Sequence, residues 1–180
     1  MTIAIRPIRK KETDAVYQMF QDIPATENGA ENKANGMTPE EFDNFCKLNV
    51  SYAKKEGLPP GRVPQTIYII FNDNIPVGFG KFRPFLNEDC IRRKIGHFAF
   101  MISPKFRNKG FATQFLSFIK KEAEQLGLTE IEGGALKENL ASRRTMEKNG
   151  GKIKEEFQNK VIYVIPVYSN PTLSSKNFTF

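Results

Sequence analysis

Apolar and polar residues alternate along Thr2–Ile8, which predicts a first strand. From Lys11 to Gln21 the spacing becomes helical, with Val16, Met19 and Phe20 on one face, and Pro24 sets the limit of that helix. Residues 23–37 are rich in Asn, Gly, Ala and Glu and are expected to form a mobile loop. Thr38-Pro39-Glu40-Glu41 is a capping box with Pro at the first helical position, so a second helix starts there and runs to about Gly57. Strands are expected at Thr66–Phe71 and Ile75–Pro84, joined by the turn Asn72-Asp73-Asn74. Another strand is expected over Lys94–Ile102. Phe111, Phe115, Phe118, Ile119, Ala123 and Leu126 then define a long amphipathic helix closed by Gly127. A short strand at Thr129–Gly134, a helix at Asn139–Lys148 stopped by Gly150-Gly151, and a hairpin of 152–157 with 160–167 complete the pattern. This order predicts an α/β layer fold with a mixed sheet, one domain over 2–168 and a loose tail at 169–180.

Composition narrows the function. The 180 residues include 16 Phe among 21 aromatic rings, more than a disordered chain carries. No stretch approaches the roughly 20 apolar residues that span a bilayer, and the first residues lack the layout of a secretory signal. A soluble, cytoplasmic protein is expected. With two cysteines, Cys46 and Cys90, and His97 as the single histidine, a structural zinc site is close to excluded, and hydrolase triads would depend on that one imidazole.

The net charge of +7 is unevenly placed. Residues 1–90 hold 11 Lys and Arg against 12 Asp and Glu, whereas residues 91–180 hold 16 against 8. A basic half-chain points to a polyanionic ligand: nucleic acid, an anionic membrane surface or a phosphorylated cofactor. The stretch Ser103-Pro104-Lys105-Phe106-Arg107-Asn108-Lys109-Gly110-Phe111-Ala112-Thr113 selects among them. It joins a strand end to a helix start, where unpaired N–H groups and the helix dipole attract anions. Gly110 lets backbone approach a ligand, and Lys105, Arg107 and Lys109 add charge. Neither a Walker loop nor a dinucleotide fingerprint is present. An ordinary basic loop before a core helix is the competing reading.

Arg107-x-x-Gly110-x-Ala112 resembles the Arg/Gln-x-x-Gly-x-Gly/Ala motif of the GNAT superfamily of acyl-CoA-dependent N-acetyltransferases. Glu138-Asn139-Leu140-Ala141-Ser142 through Glu147-Lys148-Asn149-Gly150 is similar to the family's second conserved segment. The resemblance implies a mostly antiparallel central sheet with helices on both faces and one splayed parallel strand pair, here 94–103 and 129–134. It implies acetyl-CoA as cosubstrate, with the pyrophosphate on Arg107, Asn108, Lys109, Gly110, Phe111, Ala112 and Thr113. The pantetheine arm would lie along Met101, Ile102 and Ser103, near a bulge in that strand, with Asn139 reaching the arm or the carbonyl. Lys105, Arg143, Arg144 and Lys148 are the candidates for the 3′-phosphate, and Arg144 is counted with the expected cofactor-binding residues.

The reaction so implied is direct attack of an amine on the thioester. The family's usual tyrosine acid falls at Met146, which cannot donate a proton. His97 is the titratable candidate for the base, with a structural histidine as the equal alternative, because one residue of strand phase moves it across the sheet. Tyr68, Glu88, Tyr163 and Tyr168 are weaker candidates. The expected partner is a small-molecule or peptide amine, with no nucleic acid and no membrane, and a homodimer is left open. A non-catalytic CoA-binding protein and a basic nucleic-acid module are the rival classes; helix-core spacing of the Phe residues argues against the latter.

Overall fold

The computed structural model describes residues 2–168; the expected tail at 169–180 lies outside them. The chain runs β1 (Ile3–Pro7), α1 (Asp14–Asp22), β2 (Thr26–Glu27), β3 (Ala30–Glu31), α2 (Pro39–Ala53), β4 (Thr66–Asn72), β5 (Ile75–Phe82), α3 (Glu88–Arg92), β6 (Phe98–Ile102), a 3₁₀ turn (Pro104–Phe106), α4 (Phe111–Gln125), β7 (Glu130–Leu136), α5 (Leu140–Lys148), β8 (Lys152–Phe157) and β9 (Lys160–Pro166).

The strands form a four-stranded sheet, β1-β4-β5-β6, a three-stranded sheet, β7-β9-β8, and the small hairpin β2-β3. Every ladder among the described residues is antiparallel. The expected mixed sheet is corrected in that no parallel ladder is present among the described residues: β6 and β7, the expected splayed pair, lie in two different sheets. The expected bulge in the first of these strands is also absent. The β5–β6 register runs unbroken from Gly78↔Ile102 to Phe82↔Phe98, and the bulge falls instead between β4 and β5 at Ile70/Phe71.

Helices cover both faces. Val16, Met19 and Phe20 of α1 and Phe42 and Cys46 of α2 pack on Ile67, Ile69, Phe79 and Met101. On the other side Phe111, Phe115, Leu116 and Ile119 of α4 fill the space between Tyr68, Ile70 and Phe98 of the first sheet and Ile131, Tyr163 and Ile165 of the second. Gly80 is required there, since a Cβ would lie 2.0 Å from the Phe115 ring.

Local chemistry explains the other departures from the sequence reading. α1 starts at Asp14 because Thr13 caps it, its Oγ1 accepting from Val16 N–H, while the Glu12 carboxylate is taken by Arg6 at 2.7 Å. α2 does carry the capping box. The strand expected from Lys94 begins only at Phe98. Asn87 caps the short helix α3, and the chain turns at Lys94 with φ 53° before Ile95 N–H returns to Cys90 O.

The segment 23–37 is anchored rather than loose. Asn28 and Gly29 take φ of 50° and 79°, the pattern of a type I′ hairpin turn. Asn32, 2% exposed, ties the hairpin to the end of α1 by donating to Phe20 O and Ile23 O at 2.7 and 2.8 Å.

Candidate active site

The two sheets meet at one seam and then diverge. His97 N–H donates to Glu132 O at 2.8 Å, and Glu132 N–H donates to His97 Nδ1 at 3.0 Å. Gly96 and Gly133 permit the approach: a Cβ on Gly96 would lie 2.4 Å from Glu132 O, and one on Gly133 would lie 2.2 Å from the Phe98 ring. Beyond the seam, Phe98–Ile102 and Gly134–Ala135 stand on opposite walls of a cleft of about 620 Å³.

At one end of the cleft the loop after β6 leads into α4. Asn108 and Gly110 both take positive φ, 60° and 85°, and turn the chain sharply into the helix. Gly110 is the N-cap residue and supplies no side-chain acceptor, and the first turn of α4 carries no acidic residue. The first-turn N–H groups therefore keep their positive end uncompensated, facing the cleft that Phe111, Ala112 and Thr113 line. Nothing lies within 4 Å of where a Gly110 Cβ would be, so its backbone conformation, not packing, demands glycine.

α5 forms a further wall through Asn139, Ala141, Ser142, Arg144, Thr145, Met146 and Lys148. Asn139 caps this helix, its Oδ1 accepting from Ser142 N–H at 3.2 Å, which leaves its amide nitrogen as the available donor. Of the four cations considered for a phosphate, Arg144 and Lys148 line the cleft, one helical turn apart. Lys105 is paired with Asp22 at 2.9 Å, and Arg143 turns away to the Tyr163 hydroxyl and Lys137 O.

The other expected site residues divide in the same way. Met101, Ile102, Arg107, Asn108, Gly110, Phe111, Ala112, Thr113, Asn139 and Arg144 line the cleft, whereas His97, Ser103 and Lys109 do not. Ser103 is 1% exposed, its N–H donates to Val77 O, and its Oγ makes no hydrogen bond. Lys109 lies over the Phe106 ring. Arg107 is engaged by Glu27, donating Nη1–H at 3.0 Å and Nη2–H at 2.5 Å to its two carboxylate oxygens, while Nε–H donates to Ile102 O.

The sequence reading missed the β2–β3 hairpin, whose Glu27, Asn28, Gly29 and Ala30 line the cleft. The Asn28-Gly29 pair was the signal for it. Among the weaker candidates, Tyr68 donates to Glu122, and burial first, then that bond, raises its pKa. The Tyr163 hydroxyl is held between Arg143 and Glu147. No group of side chains able to hold a metal ion occurs among the described residues.

A cleft between diverging sheets, with an open helix N-terminus at one end, offers an anion-binding end to an elongated groove. The family model of the acetyltransferase (GNAT) domain matches residues 2–152, and the chain belongs to that family. Solved structures share the fold. RimL, the ribosomal L7/L12 alpha-N-protein acetyltransferase solved with coenzyme A, aligns with a TM-score of 0.68 at 15% identity over 92% of this chain and 94% of its own. A putative acetyltransferase of Salmonella typhimurium, yncA, solved with acetyl-CoA, gives 0.63 at 12% identity over 97% and 99%. A GNAT-family acetyltransferase of Bacillus anthracis gives 0.62 at 21% identity over 93% and 96%. No curated relative matches by sequence.

Proposed function

We propose that the protein is an N-acetyltransferase that binds acetyl-CoA in this cleft and passes the acetyl group to an amine. The observation that carries the reading is the left-handed Gly110 at the start of α4. It presents the first-turn N–H groups to the cleft without a capping side chain, as a pyrophosphate requires. Arg144 and Lys148 suit the 3′-phosphate, and Asn139 offers an amide donor to the arm or carbonyl. β6 is an edge strand along the cleft, so its outward backbone groups are placed to pair with the amides of the pantetheine. Both cleft walls lie downstream of the His97–Glu132 seam, which supports β6 and β7 as the splayed parallel pair of the family.

Acetyl-CoA supplies an activated acyl group with a good leaving thiolate. The chain's contribution is to align the amine with that group, exclude water and polarise the carbonyl with fixed donors. The amine must attack as the neutral base, so its proton passes to solvent or to a side chain. His97 is the weaker choice for that base. Its Nδ1 already accepts a hydrogen bond, so the neutral ring carries its proton on Nε2 and presents a donor. We assign it to positioning β6 against β7. Met146 has no proton to give, and the thiolate leaves to solvent.

Binding tests the reading directly. Acetyl-CoA at ~100 Kd is expected to stabilise the fold by about 2.7 kcal/mol, seen as a rise in Tm. Near-millimolar acetyl-CoA and CoA that both leave Tm unmoved would refute it, and a melting series with DNA addresses the rival basic-module class.

A further inference from the structure

On the face of β5 turned toward α1 and α2, Lys81 follows Phe79 at two-residue spacing, and Arg83 stands just past the end of the strand. Lys81 Nζ donates to Glu31 O at 3.0 Å, and Arg83 Nη1–H donates to Gly96 O at 3.0 Å. Among the described residues neither cation makes an ion pair. Burial, followed by the charges of Arg83 and Lys33, brings Lys81 down to about 8, with the Glu31 carboxylate acting in the opposite sense. Burial also lowers Arg83. Lys81 Nζ also lies over the Phe79 ring, 5.7 Å from its centroid. Two half-buried cations held by carbonyls and a ring, with no paired carboxylate, are costly to keep, and an anion that joins them recovers that cost.

Their place in the fold gives the anion a role. Lys81 is the ladder partner of Ala99, and Glu31 follows Ala30; Ala99 and Ala30 both line the cleft. Ala99 lies near the start of β6, at the end away from Gly110, so the cations, which do not themselves line the cleft, stand next to its wall at the end remote from the Gly110 loop. We propose that Lys81 and Arg83 form an anion subsite for the acceptor, which is accordingly an amine bearing a carboxylate. This rests on the acetyltransferase reading. The same positive field disfavours the ammonium form of an amine held nearby, which helps to deliver the neutral nucleophile. A polyamine, cationic throughout, meets repulsion there.

Two measurements test the subsite. In the first, Tm is followed in a succinate series at constant ionic strength, without acetyl-CoA. Succinate is expected to raise the wild-type Tm and leave Lys81→Met unmoved, with ligand-free Lys81→Met at least as stable as wild type. Equal shifts in both proteins, or no shift in either, would overturn the proposal. In the second, thiol release from acetyl-CoA is measured with free amino acids, their amides, an acidic and a neutral peptide, and spermidine. Carboxylate-bearing acceptors are expected to be preferred, and the free amino acids and the acidic peptide separate an α-carboxylate from a side-chain one. Lys81→Met is expected to raise the acceptor KM by roughly tenfold to a hundredfold, as loss of a charged hydrogen bond does, with the acetyl-CoA KM unchanged and Lys81→Arg restoring most of the effect. Preference for amides or spermidine, or an unaltered acceptor KM, would sink the subsite. Failure of wild type to gain stability from acetyl-CoA would instead sink the acetyltransferase reading, whatever succinate does.

Discussion

His97 Nδ1 accepts the backbone N–H of Glu132 at 3.0 Å, in the place a carbonyl would fill in a continuous ladder, while His97 N–H donates to Glu132 O at 2.8 Å. One residue thereby closes the seam from which the cleft opens. The bond requires an unprotonated Nδ1. Burial is the main cause that holds the imidazole below its ordinary value of 6.5, opposed by the Glu132 carboxylate and assisted by Arg83 and Lys154.

That shift has a definite sign. The folded pKa is lower than the unfolded one, so the unfolded chain binds more protons between the two values. The stabilisation is complete above about pH 6.5 and is lost as pH falls through the folded pKa. Thermal melts at stepped pH are expected to show this loss in wild type and a shallower slope in His97→Ala. The variant is expected to cost about 1–3 kcal/mol at neutral pH, because Glu132 N–H loses its partner. A general base would behave differently, losing roughly 10²–10⁴ in kcat with stability intact. An unchanged pH slope in the variant would count against the seam role.

Gly110→Glu tests the phosphate end. At φ 85° any side chain is strained, but the surrounding space is open, so the fold is expected to survive by circular dichroism. The added carboxylate stands against the anion this helix start attracts. The Tm rise with acetyl-CoA is expected to vanish, and retained affinity would place the phosphates elsewhere.

Arg107 gives a separate expectation because Glu27 already holds it. The pair is about one-third exposed on each side, so its direct contribution to stability is about 1 kcal/mol at most. Its consequence is local: it fastens the β2–β3 hairpin over the cleft. Arg107→Met is expected to raise amide hydrogen exchange at 26–31 while weakening acetyl-CoA only severalfold. Unchanged exchange there would show that the Asn32 and Lys81 hydrogen bonds anchor the hairpin without the pair.

Much of this organisation was readable in the chain. The proposed phosphate end is local: Gly110, the basic loop and the start of α4 are contiguous, so their spacing carries their geometry. The alternation of Phe98, Phe100 and Ile102 placed β6, and Thr38 with Glu41 placed α2. What escaped depends on contacts distant in sequence. The seam needs Gly96 and Gly133 to meet across 37 positions, and no local pattern encodes that approach. The Arg107–Glu27 pair spans 80 positions, so a residue that looked free for phosphate is committed to the hairpin. The division of the strands into two sheets follows from the same tertiary packing around α4. The hairpin is the exception, since Asn28-Gly29 did signal it within a segment whose composition suggested a loop.

Met146 occupies the position where the family's tyrosine acid is expected, and it is 1% exposed on the cleft wall between α4 and the second sheet. Its thioether cannot protonate a leaving thiolate, so its part is to shape that wall. Met146→Leu, nearly equal in volume, is expected to keep turnover within about threefold, since such exchanges disturb a core by less than about 1.5 kcal/mol. Met146→Ala is expected to cost about 2–5 kcal/mol through the cavity it leaves, and to lower activity in step with stability. Parallel measurement of Tm, acetyl-CoA affinity and thiol release on the two variants separates packing from chemistry. A fall of roughly 10² in kcat for Met146→Leu, with Tm and acetyl-CoA affinity unchanged, would show that this side chain acts on the reacting atoms and would overturn departure of the thiolate to solvent.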